Sequence, residues 1–166
     1  MDMNTQAQMY LNAFFSNAEF PGGISFRTAL NQINLDGSWE SLDRADYLLD
    51  QIRVKIKPKF GPFLNEHANQ NFLYFLCFYV GHVISTKSAK PVRWLSYQDM
   101  IREIPDNRLM FPQCFQTSAT CITSVSFFVP LRSITCRLFE ELGEFTSKSV
   151  RSSAEGNSEK RALSDK

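Results

Sequence analysis

The sequence predicts a single α+β domain, with one hydrophobic helix buried between a small antiparallel sheet and the other helices. Three observations carry this expectation. Residues Phe72 to Ile84 are the most apolar stretch of the chain, with two tyrosines and His82 as their only polar side chains. Leu42, Ala45, Leu49, Ile52 and Ile56 recur at steps of three and four, the spacing of one helical stripe. Pro91 to Leu95 and Gln113 to Val125 are rich in β-branched and aromatic residues, which favour strands. At 166 residues the chain suits one domain that buries a core without disulfides.

A first helix is predicted over Thr5 to Ala18, ended by Pro21-Gly22-Gly23. Met9, Ala13, Tyr10 and Phe14 supply its apolar face. Ile24 to Ile33 is ambiguous: Phe26, Leu30 and Ile33 have helical spacing, and Asp36-Gly37 marks a turn. Ser41 is a suitable N-cap for the helix carrying the Leu42–Ile56 stripe, which Pro58 and Gly61-Pro62 stop. The central helix then runs from about Phe63 or Asn69 to Ser85. Gly81 lies inside it, and an interior Gly costs about 1 kcal/mol against Ala. Close approach of another backbone is the expected reason.

Pro91 to Leu95 reads as a strand, and Ser96 with Asp99 resembles a capping box for a helix through Ile104. Pro105-Asp106-Asn107 turns the chain toward the strand-forming segments. Pro130 suits the first position of a last helix, striped by Leu131, Ile134, Leu138 and Leu142 and stopped at Gly143. The globular domain is expected over 1–145. Residues 146–166 are serine-rich and lack aromatics, the composition of a disordered tail.

Composition excludes several function classes. Hydrophobic residues make up 43% of the chain and aromatics 13%, too apolar for a disordered polypeptide. A net charge of +1 gives no electrostatic case for nucleic acid, which requires clustered Lys and Arg. The Phe72–Ile84 run is shorter than the roughly 20 residues that span a bilayer. The N-terminal residues lack the basic and apolar regions of a secretory signal, so a cytoplasmic protein with cysteines as thiols is expected.

No catalytic constellation stands out. His67 and His82 are the only histidines. Cys114 and Cys121 are separated by six intervening residues, outside zinc-knuckle spacing, so neither a metal nor a cofactor is expected. His82 with Cys114 or Cys121 could line a pocket, since such partners need only meet in space. That gives one reading: a small enzyme or ligand-binding domain. The leading reading is protein binding. Asp43, Asp46 and Asp50 stand along one side of a helix, where they would form an acidic docking face or a solvated one. Arg93 and Trp94 are residue types that interfaces favour, although Trp94 also suits a core.

Tyr79-Val80-Gly81-His82-Val83-Ile84, the short loop to Trp94, and Leu109-Met110-Phe111-Pro112 together resemble small bacterial cytosolic domains of unknown function. The shared pattern is a helix ending in glycine, then a strand beginning near a tryptophan, over roughly Leu42 to Pro112. Some of those domains accompany toxin–immunity systems. The resemblance implies an α+β fold and a partner protein, such as a toxin, bound by an immunity or adaptor protein. It supplies no catalytic residues, and it leaves self-association open.

Overall fold

The computed structural model describes residues 1–88, 91–103, 120–122 and 127–140. Helices dominate them: α1 (Met3–Phe15), α2 (Arg27–Gln32), α3 (Trp39–Ile56), α4 (Phe60–Leu64), α5 (His67–Ser88), α6 (Tyr97–Glu103) and α7 (Pro130–Phe139). Strand is confined to β1 (Arg93–Leu95), β2 (Thr120–Ile122) and β3 (Phe127–Phe128). Their backbones pair antiparallel in the order β1-β2-β3, with Trp94 opposite Cys121 and Cys121 opposite Phe128.

The expected α+β architecture is therefore overturned: the described chain is mostly helical. Strands of three, three and two residues are too short to form a layer over a helix of 22. Helices α1, α3, α4 and α7 cover α5 instead. Most of the Thr- and Phe-rich stretch behind the sheet expectation lies outside the described residues, as does the expected tail from Thr146.

Local chemistry sets the helix ends. Asp2 caps α1, its carboxylate accepting from the N–H groups of Asn4 and Thr5, so the helix starts two residues before the predicted Thr5. Ser38, not Ser41, caps α3 by accepting from the Ser41 N–H. The Leu42–Ile52 stripe is buried as its spacing requires, while Ile56, in the last turn, is exposed. Pro130 opens α7 within its first turn.

Between Phe72 and Ile84 helix α5 is almost wholly apolar, and it is surrounded there. Phe72, Phe75, Phe78 and Tyr79 are fully buried, and Phe14 of α1 stacks on Phe75 with ring centroids 4.2 Å apart. Gly81 sits where α5 meets the Trp94 indole. A Cβ there would lie 2.3 Å from Trp94 Cζ2, so the close neighbour is a ring and not the expected backbone.

The buried hydroxyls of Tyr79 and Ser41 are satisfied. The Tyr79 hydroxyl accepts from the Gly37 N–H at 2.9 Å and lies 2.7 Å from Ser41 Oγ, which donates to the Ser38 carbonyl. Tyr79→Phe leaves the Gly37 N–H without this acceptor, at an expected cost of about 1–3 kcal/mol. Urea denaturation checks it, and a loss below about 0.5 kcal/mol would show the contact to be dispensable.

Candidate binding groove

Along α1 runs an open groove of about 740 Å³. Gln6, Met9, Tyr10 and Ala13 form one wall, because steps of three, four and seven residues return to one side of a helix. Ala18 to Pro21 form the facing wall with His67 and Asn71 from the head of α5. The size falls within the roughly 300–1,000 Å³ usual for ligand sites. Met9 is 46% exposed and Met1, at the mouth, 84%. Methionine's flexible thioether chain adapts to irregular apolar partners.

The facing wall is held in place from behind. Buried Asn71 accepts from the Tyr10 hydroxyl at 2.6 Å and donates to the carbonyls of Pro21 (3.0 Å) and Gly23 (2.6 Å). Arg27 donates to the Ala18 carbonyl at 2.6 Å and to Asn17 Oδ1 at 3.1 Å, its guanidinium 5.5 Å from the Phe20 ring centre. Gly22 has φ +79°, and a Cβ there would meet His67 Cδ2 at 2.1 Å. Glycine is thus required twice over, by dihedral and by space. Burial pushes the Tyr10 phenol up, outweighing the opposite effect of the Gln6 amide, so it stays neutral. Such a groove can receive an apolar segment and orient it by hydrogen bonds. Its lining carries one acid, Glu19, and one imidazole, His67, with no thiol.

None of the site candidates Asp43, Asp46, Asp50, His82, Arg93 and Trp94 lines this groove. Asp43 is exposed on α3, but Asp46 is only 4% exposed and Asp50 is half-buried. Both face α7: Arg137 donates to Asp50 from Nε (3.0 Å) and Nη2 (2.8 Å), and its Nη1 lies 3.5 Å from Asp46. Arg53 joins them through Asp50 Oδ1 at 2.9 Å and the Arg137 carbonyl. Two of the three aspartates therefore bind α3 to α7 rather than standing open on one acidic face. Burial alone would raise the Asp50 carboxyl, yet hydrogen bonds from Arg137 and Arg53 and their charges hold it below the usual carboxylate range.

Arg93 is exposed and pairs with Glu103 of α6 at 3.1 and 2.7 Å. Trp94 is 6% exposed, with Phe78 edge-on at 5.1 Å, so it offers almost no surface. His82 is half-buried between Phe15 and Tyr79, and burial pulls its pKa down. Cys114 lies outside the described residues, and Cys121 falls in β2. Cys77 and Cys136 are thiols, both pushed up chiefly by burial. Among the described residues, no group of three or more His, Cys, Asp or Glu could hold a metal ion. None of their helices is long and apolar enough to cross a membrane. The signal that could have located the groove was Met9 itself, an apolar residue at the edge of a face otherwise turned inward. Comparison with protein-family models, curated proteins and solved structures finds no match.

Proposed function

We propose that this chain acts by binding another protein without catalysis, accepting an apolar segment of its partner in the groove along α1. The observation that supports the reading is the groove: a preformed, mainly apolar channel with exposed Met1 and Met9 at its mouth. A cytoplasmic immunity or adaptor protein, with a toxin as one concrete partner, is the form the reading takes. Asp43 remains available as a peripheral contact, because it shares an outward strip of α3 with exposed Tyr47.

The test is affinity capture from host cells with the intact chain, Met9→Gln and Tyr47→Gln. The groove reading expects Met9→Gln to weaken capture by about tenfold or more, the scale of losing an interface anchor. Tyr47→Gln should retain it. Equal capture by the intact chain and Met9→Gln, or loss confined to Tyr47→Gln, would remove the groove from the reading.

A further inference from the structure

We propose, resting on the groove reading, that the segment received beside α1 is a basic amphipathic helix: one apolar face against Met9, Ala13 and Phe20, with Lys or Arg at its margins. Charge points to the basic margins. Glu19 is the one acid that lines the groove, Asp2 and Glu66 neighbour the lining residues Met1 and His67 in sequence, and no Lys or Arg side chain lines it. All three carboxylates are exposed, in a chain whose net charge is +1. Arg27 does not line the groove, and its guanidinium is taken up by bonds to Ala18 and Asn17 and its seat over Phe14 and Phe20.

The helical form follows from the wall. Strand addition needs a row of open backbone N–H and C=O groups, whereas the groove-side backbone of α1 is bonded within its own helix. What α1 presents is a ridge of side chains at helical spacing, the surface into which another helix packs. From Gln6 to Ser16 that ridge is about 15 Å long, enough for roughly three turns of a partner helix. A mouth edged by methionines suits the apolar face of such a helix.

The experiment uses the intact chain and two labelled amphipathic peptides of about 14 residues, spanning the groove with a turn to spare. They share one leucine face and differ in carrying Lys or Glu on the other. Fluorescence anisotropy is expected to show the Lys peptide binding at least about tenfold tighter at low salt, with the gap narrowing as salt rises. Glu19→Lys should abolish the preference, while Glu40→Lys, an equal charge step away from the groove, should leave it in place. Met9→Gln should weaken both peptides.

Equal binding of the two peptides, still lost in Met9→Gln, would overturn the charge inference and leave the groove reading standing. A Lys preference erased equally by Glu40→Lys would overturn it as a non-local effect. Binding of neither peptide would overturn the helical occupant. The groove reading itself would fall only with unchanged partner capture by Met9→Gln.

Discussion

Arg137→Met is expected to destabilise the fold by about 3 kcal/mol, because it removes the guanidinium that two carboxylates of α3 face from across the helix interface. Methionine keeps most of the apolar stem and removes the charge. The side chains of Asp46, Arg137 and Asp50 are 6%, 22% and 30% exposed, so water replaces little of what is lost. Exposed pairs are worth far less: Arg93–Glu103, with side chains 53% and 43% exposed, should contribute under about 1 kcal/mol despite its good geometry. Comparing Arg137→Met with Arg93→Met by urea denaturation therefore measures burial at nearly constant chemistry. Similar small losses from both would show that α7 is held to α3 by its apolar residues alone.

The same cluster has a pH signature. The Asp50 pKa is depressed in the folded chain, so its contribution is fully present above the unfolded value near about 4. It is lost as pH falls through the lower folded value. Arg137→Met takes away the larger share of that depression, leaving Arg53 as the remaining cation beside Asp50. The stability gap between intact chain and variant should thus be widest near neutrality and narrow below about pH 4. A gap that grows on acidification would contradict the assigned cause.

This cluster also marks the limit of what the sequence could reveal. Asp46 and Asp50 have the spacing of a solvated helix face, and nothing within α3 contradicts that. What buries them is Arg137, 87 residues after Asp50. Periodicity is local information, whereas the partner arrives by tertiary packing. The Leu42–Ile52 stripe and the all-apolar Phe72–Ile84 run could be read because they dictate their own burial. The fold class could not, because β-propensity in the Thr- and Phe-rich segments says nothing about how long the paired strands become. The groove was hidden for a related reason. Met9 and Tyr10 lie on the face predicted to be apolar, but whether such a face is covered depends on where the Ala18–Pro21 loop and Asn71 come to rest.

Gly81→Val is expected to cost about 3 kcal/mol, near the top of the usual range for forcing atoms into a filled core. Its Cβ alone would come within 2.3 Å of Trp94 Cζ2 and 3.1 Å of Cε2. The indole has little freedom to retreat, since Phe78 stands edge-on against it and its backbone is held by Asn4. Asn4 Oδ1 accepts from the Trp94 N–H at 2.8 Å, and Asn4 Nδ2 donates to the Trp94 carbonyl at 3.3 Å, so β1 is held against α1. Stability changes in a double-mutant cycle separate this collision from helix propensity. In the intact background Gly81→Ala should destabilise. In a Trp94→Leu background the indole is gone, and Gly81→Ala should stabilise by up to about 1 kcal/mol, the propensity gain of Ala over Gly in a helix interior. The reversal of sign is the decisive reading. If Gly81→Ala has the same effect in both backgrounds, the glycine is not there to admit Trp94, and the contact joining α5 to β1 is not what selects it.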